Sequence, residues 1–112
     1  MRDERAYLFD MIDSARMAMA YVRGKTFEQF VSDTQLQDAV VRRLSVIGEA
    51  VRLVTPQTRA MLPQLPWDDI SAMRNILVHE YFGIDMQVVW DTVSRDLQPL
   101  VDAVERILKS QP

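Results

Sequence analysis

The chain has 112 residues, of which 48% are apolar, and a formal net charge of −3. This length and composition are those of one domain with a single core, spanning residues 1–112. The absence of cysteine excludes disulfides and thiol catalysis, and with only one histidine we predict no metal site. The acidic balance argues against a protein that holds nucleic acid by bulk electrostatic attraction.

The sequence gives no sign of a membrane segment. No apolar run approaches the roughly 18 residues of a membrane span. The N-terminus has no basic segment followed by an apolar one. We therefore expect no membrane partner and no signal peptide, and the lack of cysteine fits a reducing cytoplasm.

The N-terminal part of the chain predicts one long helix over residues 3–22. Apolar residues recur there in steps of three and four, and Arg23-Gly24 ends the pattern. Thr26 then caps a short helical turn over residues 26–31, in which Phe27 and Phe30 pack inward. The core stripe of the long helix is Leu8, Ile12, Ala15, Met19 and Val22.

A second long helix, capped by Asp33 or Thr34, is predicted to run to about Val54. A connector follows, with one helical turn over residues 57–62 and prolines that stiffen its approach to the next helix. The core stripe of this second helix is Leu36, Val40, Leu44, Ile47, Val51 and Val54.

Residues 66–85 predict a third long helix, which we call the signature helix. Pro66 suits its start because the missing N–H would be unpaired there. Asp68 and Asp69 place negative charge where the helix dipole favours it, and Gly83 is a natural stop. The buried stripe of this helix is Ile70, Met73 and Leu77, with Ile76 beside them.

Asp85 caps the last predicted helix, which covers residues 86–109. Pro99 falls inside it and removes one backbone hydrogen bond, so it either kinks the helix or divides it with Asp96 as a new cap. We predict a kink near Pro99, because the apolar stripe keeps its phase across the proline. That stripe is Val89, Val93, Leu97, Leu100, Val104 and Ile107.

These segments are four main amphipathic helices with short connectors, and neither a repeat nor a low-complexity segment interrupts them. Amphipathic helices of this kind bury their apolar stripes against one another. The fold class predicted from the sequence is therefore all-α, an antiparallel bundle of four to five helices.

Polar residues crowd the second half of the signature helix. Arg74 and Tyr81 are seven apart and share a face, whereas Asn75 and His79 are four apart and close enough to interact. Arg74 and His79 lie about 140° apart around the axis, at about 100° per residue. One helix therefore does not easily direct both side chains at one atom.

Two interpretations of these residues are open from their chemistry. In the first, the histidine is stabilised by the helix dipole near a C-terminus and the arginine pairs with a carboxylate. In the second, the residues form a metal-free acid–base and phosphate site, because histidine titrates near neutral pH.

Arg74, four intervening residues, His79, one further residue and Tyr81 match the R-x4-H-x-Y signature of HepT-like proteins, the DUF86 branch of the HEPN superfamily. The resemblance covers essentially the whole chain and implies the HEPN helical bundle. Its flanking matches are Pro66-Trp67 and Ile70 before the motif, Gly83 after it and Ile47-Gly48-Glu49-Ala50 upstream.

The resemblance implies metal-independent RNA cleavage, without a cofactor, in a homodimer whose active site forms where two signature helices meet. It makes Arg74 and His79 catalytic and Asn75 a supporting residue. A two-fold interface brings the same patch of both chains together, so Arg74 and His79 can converge with their copies although one helix alone does not bring them together.

The resemblance gives Tyr81 a different role, as the residue to which an MntA-like nucleotidyltransferase antitoxin attaches AMP. It thereby implies the toxin of a type VII-like toxin–antitoxin pair in a prokaryotic cytoplasm. Attached AMP would add negative charge and bulk beside groups that bind phosphate, and would repel RNA.

Other assignments remain open at this stage. Glu49 is either a surface carboxylate or a partner for an arginine near the site. Two alternatives to a nuclease are a non-catalytic binding module that docks to a nucleotidyltransferase and a plain dimeric bundle without chemistry. We interpret most of the arginines in the central third as a solvated helix face: Arg42, Arg43, Arg52, Arg59 and Arg74.

Overall fold

The computed structural model describes residues 3–72 and 83–110, and every regular element within these ranges is helical. This confirms the all-α prediction. The start of the signature helix is α5, whose described part is residues 67–72. The remaining elements are α1 (Glu4–Val22), α2 (Phe27–Val31), α3 (Thr34–Arg52), α4 (Pro56–Met61), α6 (Met86–Asp91), a π-helical turn (Thr92–Asp96) and α7 (Leu97–Ser110).

Polar side chains cap the helices at the predicted residues Thr26, Asp33 and Asp85, and also at Asp3, for which no cap was predicted. The carboxylates of Asp3, Asp33 and Asp85 each accept a hydrogen bond from a backbone N–H two or three residues further on. Thr26 and Gln29 cap α2 reciprocally, because each side chain accepts from the other's backbone N–H, at 3.1 Å and 2.8 Å. These bonds satisfy donors that a helix start leaves unpaired.

The ends of α1 and α3 lie close to their predicted positions. Gly24 follows α1 with a φ of 75°, a left-handed conformation that glycine adopts without a Cβ clash. α3 ends at Arg52, two residues before the predicted end at Val54. The N–H groups of Leu53 and Val54 bond to carbonyls three residues back, which tightens the chain into a turn.

The core is built around α1, which packs against α3 and α7. Helices α1 and α3 run antiparallel. The start of α1 lies beside the end of α3, because Glu4 bonds to Thr55 just beyond α3, whereas Ser14, further along α1, accepts a bond from Arg43 in the middle of α3. The stripes predicted for the first, second and last long helices are buried, except that Met19 and Leu36 are only partly buried. Buried residues at the centre of the cluster include Leu8, Met11, Ala15, Val40, Leu44, Val51, Val101 and Val104.

An aromatic cluster joins α2 to α6. Phe30 is fully buried, and Phe27 packs against the core from a partly buried position. The ring of Trp90 lies 6.1 Å from that of Phe27 and 5.4 Å from that of Phe30, both within the range of favourable aromatic pairs. The inward packing predicted for α2 is therefore confirmed.

The last helix is unbroken from Met86 to Ser110, so Asp96 does not cap a separate helix. The irregularity near Pro99 is a π-helical turn directly before α7, and prolines and π-helical turns are both recognised causes of helix bending. The turn also explains the phase of the stripe. Val89, Val93 and Leu97 are spaced by four residues twice in succession, and a wider π turn keeps all three on the core side.

Glu4 fastens the start of α1 to the connector after α3. One oxygen of its carboxylate accepts a bond from the Thr55 N–H at 2.6 Å, and the other accepts from the Thr58 hydroxyl at 2.9 Å. Burial by itself raises the pKa of Glu4, but the bonds from Thr55 and Thr58 outweigh it, and the pKa lies below the ordinary value of 4.5.

Because this pKa is lowered by folding, Glu4 contributes stability above pH 4.5 that is lost as the pH falls through the lowered value. We expect Glu4→Gln to lower the free energy of unfolding by about 1 kcal/mol at pH 7. The difference from wild type should shrink toward pH 3. Urea unfolding between pH 7 and pH 3 measures both, with the exposed Glu28→Gln as the matched control. A difference that does not depend on pH would contradict this role for Glu4.

Candidate functional site

Four of the predicted site residues lie in residues 73–82, outside the described part of the chain: Arg74, Asn75, His79 and Tyr81. Their placement and their roles therefore stay predictions, as do the predicted stripe positions Met73, Ile76 and Leu77. The structure describes the start of the helix that is predicted to carry them, the residues around that start, and the position of Glu49.

The signature helix begins where the sequence predicts. Residues 67–72 are helical, and the carbonyl of Pro66 accepts the N–H of Ile70 at 3.0 Å. Ile70 is partly buried against the core, as the predicted stripe requires. Asp68 and Asp69 are exposed in the first turn, where the N-terminal end of the helix dipole favours negative charge.

Trp67 anchors this helix to the connector before it. The side chain is 7% exposed, and its indole N–H donates to the carbonyl of Leu62 at 2.9 Å. Its backbone N–H donates to the carbonyl of Leu65, also at 2.9 Å. A buried tryptophan with its N–H bonded fixes both the position and the orientation of the chain that carries it.

Arg59 of α4 lies under the same turn and is not part of a solvated face. Its guanidinium donates to the carbonyl of Val51 at 2.8 Å, and lies 6.0 Å from the centre of the Trp67 ring. A second nitrogen is 3.8 Å from the carboxylate of Asp68. No helical periodicity links these residues, so no pattern in the sequence marks Arg59 as different from the other arginines.

Glu49 lies on α3 with a side chain that is 49% exposed. Its carboxylate is 3.4 Å from Arg52, three residues further along the same helix, an exposed pair of a kind that adds little stability. This pair does not test a contact with Arg74, which lies outside the described residues. The link from Glu49 to the site stays a prediction.

A cleft of about 590 Å³ adjoins the start of the signature helix. Apolar side chains form most of it, among them Ile47 of α3, Ile70 of α5 and Leu100 of α7. The carboxyl-bearing residues Asp69 and Asp96, both exposed, also line it. Negative charge there disfavours the phosphates of RNA, so the cleft itself does not have the properties of an RNA-binding surface.

Within residues 3–72 and 83–110, no group of three or more His, Cys, Asp or Glu side chains is arranged to hold a metal ion. Among the helices described, none combines the length and the apolar character needed to cross a bilayer.

Comparison with known proteins decides the family. A family model described as Ribonuclease HepT-like matches residues 11–107, which is most of the chain. The chain belongs to the HepT-like ribonuclease family. The resemblance identified from Arg74, His79, Tyr81 and their flanks is thereby confirmed at the level of the family.

Relatives in the HepT-like family align along nearly the whole chain. A Thermococcus cleftensis protein named "Probable ribonuclease HepT" is 34% identical over 96% of this chain and 98% of its own length. Two proteins named "Putative RNase" are each 35% identical. The one from Caldanaerobacter subterraneus covers 99% of both chains, and the one from Methanocaldococcus jannaschii covers 93% of this chain and 95% of its own. No solved structure matches the chain.

We expect the hydrogen bond from the indole N–H of Trp67 to contribute measurably to the stability of this HepT-like domain. We expect Trp67→Phe to lower the free energy of unfolding by about 1 to 2 kcal/mol, because it removes a buried hydrogen bond and part of a buried ring. The matched control is Trp90→Phe, which makes the same change in the partly buried aromatic cluster. Chemical denaturation measures both, and equal costs would argue against the anchoring role of the indole N–H.

Proposed function

We propose that this protein is a metal-independent RNA endonuclease and the toxin of a type VII-like toxin–antitoxin pair in a prokaryotic cytoplasm. The observation that carries the proposal is membership of the HepT-like ribonuclease family together with the R-x4-H-x-Y motif at Arg74, His79 and Tyr81. The names of the relatives, which call them ribonucleases, support the same activity.

The chemistry of RNA suits a site built from histidine and arginine. The 2′-oxygen attacks the adjacent phosphorus, the bond from phosphorus to the 5′-oxygen breaks, and no metal-bound water is needed. One imidazole takes the proton of the 2′-OH and a second donates a proton to the leaving 5′-oxygen. The products carry a 2′,3′-cyclic phosphate and a 5′-OH, and two copies of His79 in a homodimer supply the base and the acid.

Arg74 and Asn75 complete the proposed site. The arginine offsets the charge that builds up on the pentacoordinate phosphorus, because its planar fork of N–H donors matches two phosphate oxygens. Asn75 lies four residues before His79 and holds either the imidazole or a phosphate oxygen. Glu49 is proposed to pair with an arginine near this centre.

The homodimer forms through the signature helix. Arg74 and His79 of one helix lie about 140° apart around its axis, so each subunit alone has an incomplete site. A two-fold axis at the helix sets the residues of one chain opposite their copies, and the composite site then contains two imidazoles and two guanidinium groups.

The proposed control of this nuclease is covalent modification of Tyr81 by an MntA-like nucleotidyltransferase antitoxin. The tyrosine oxygen attacks the α-phosphorus of ATP, pyrophosphate leaves, and AMP remains attached through a phosphodiester bond. Tyr81 shares a helix face with Arg74, so the added negative charge lies beside the groups that bind RNA phosphate and competes for them.

A second candidate is a non-catalytic binding module that docks to the nucleotidyltransferase. The net charge of −3 favours it, as does the largely apolar cleft lined by Asp69 and Asp96, because neither suits RNA. Such a module forms the complex but leaves RNA intact, so the cleavage assay separates the two candidates.

We expect the purified protein to cut RNA in excess EDTA and His79→Ala to lose this cleavage, because the variant lacks both the base and the acid. The product ends, identified by enzymatic end-labelling and mass spectrometry, should be 2′,3′-cyclic phosphate and 5′-OH. Light scattering should show that the variant remains a dimer. Full activity in folded His79→Ala would remove this mechanism, and no cleavage by unmodified wild type would favour the binding module.

We expect incubation with the partner nucleotidyltransferase and ATP to add one AMP to the wild-type chain and none to Tyr81→Phe. The matched control is Tyr21→Phe, which removes a different tyrosine hydroxyl and should still gain the AMP. Intact-mass spectrometry reads both variants. AMP on Tyr81→Phe would place the modification on another residue, and modified wild type that still cleaves RNA would separate the modification from control of the nuclease.

A further inference from the structure

The position of the catalytic end of the signature helix depends on how the helix is held at its start. In the helix predicted from the sequence, His79 lies twelve residues beyond Trp67, about 18 Å along the axis. A tilt of about 5° at Trp67 moves a point at that distance by about 1.6 Å. A misplacement of about 1 Å is sufficient to slow an enzymatic reaction by about 100-fold.

Arg59 connects the start of this helix to the core. Its guanidinium bonds to the carbonyl of Val51 at 2.8 Å, in the last turn of α3, where the helix dipole favours a cation, and the same carbonyl accepts the N–H of Val54 at 3.2 Å. The same group lies 6.0 Å from the Trp67 ring and 3.8 Å from Asp68 in the first turn of α5. One planar cation therefore joins the end of α3 to the beginning of the signature helix.

Stability alone does not account for an arginine at this position. Asp68 is fully exposed, so its pair with Arg59 adds little. The Nε of Arg59 is buried and finds no hydrogen-bond partner among the described residues, which costs free energy. A long apolar side chain would fill the same space without that buried donor. What only the guanidinium provides is simultaneous contact with a carbonyl, an aromatic face and a carboxylate.

Trp67 transmits this restraint to the helix. The guanidinium of Arg59 lies near its ring, and its indole N–H donates to the carbonyl of Leu62 at 2.9 Å. Because Trp67 is the first residue of α5 and its ring is buried, a tilt of the start of the helix displaces the ring from these two contacts. We propose that Arg59 is a positioning residue for the nuclease site: it sets the orientation of the signature helix through Trp67 and thereby the rate of RNA cleavage.

This inference rests on the proposed nuclease function for its effect on rate, but its structural part can be measured without RNA. The chain has two tryptophans, so Trp90→Phe leaves Trp67 as the only fluorescent indole. Acrylamide quenching in this background reports how well Trp67 is held. We expect Arg59→Met to raise the quenching constant about twofold, because loosening of a buried contact exposes the ring through local opening.

The kinetic test uses the homodimer of the whole chain with three variants, Arg59→Met, Arg59→Lys and Arg16→Met, which are also measured by quenching. Arg59→Met keeps a long stem and removes the guanidinium, and we expect the single-turnover rate to fall about tenfold or more. The KM for RNA should stay within about threefold of wild type, since no contact with the substrate is lost. Arg59→Lys keeps the charge but lacks the planar guanidinium, so its cleavage rate should stay low and its Trp67 fluorescence should stay readily quenched. Arg16→Met is the control, because it removes an equal charge from an exposed pair with Glu105.

The outcomes separate the inference from the proposed function. An unchanged rate for Arg59→Met, a change in KM alone, full recovery by Arg59→Lys, or an equal loss in Arg16→Met would each overturn the positioning role. If wild type does not cut RNA, the proposed function and the effect on rate both fail. The quenching constant of Trp67 then tests only whether Arg59 anchors the helix. A higher constant in Arg59→Met supports that anchoring role, and an unchanged constant contradicts it.

Discussion

The antiparallel packing of α1 against α3 is the contact on which the other elements depend. It buries the apolar stripes of both helices, and α7 packs against α1. The pairing is closed at one end by Glu4, whose carboxylate holds both Thr55 and Thr58. The start of α4 is therefore set by the same contact that sets the start of α1.

The signature helix is held by this core through a short chain of contacts. α4 follows directly from the turn that Glu4 holds, and its Arg59 reaches back to the carbonyl of Val51 in α3. Trp67 then joins α5 to the connector through the carbonyl of Leu62. Each contact is modest in energy, but together they connect the start of the helix to the core. The proposed site, built from two such helices, would require a well-defined helix orientation, since catalytic geometry tolerates displacements of only about 1 Å.

The proposed chemistry also explains how an acidic protein can act on RNA. The net charge of −3 and the acidic residues of the cleft provide no general attraction for a phosphate backbone. In the proposed homodimer, local cations supply this attraction, and the two-fold axis doubles the contribution of Arg74. A site that depends on few positive charges is also sensitive to a single added phosphodiester, which is the physical basis of the control that we propose at Tyr81.

Helix boundaries and the family could be predicted from the sequence, because their causes act over short distances along the chain. Asp3, Asp33 and Asp85 cap helices through bonds to N–H groups two or three residues away, and the apolar stripes repeat every turn. The R-x4-H-x-Y motif is equally local and identified the HepT-like family. Only the tertiary structure decided the contacts of Arg59 and those of Glu4, whose partner Thr55 is 51 residues away. Such contacts exist only once α1 and α3 have packed, and no periodicity along the chain encodes them.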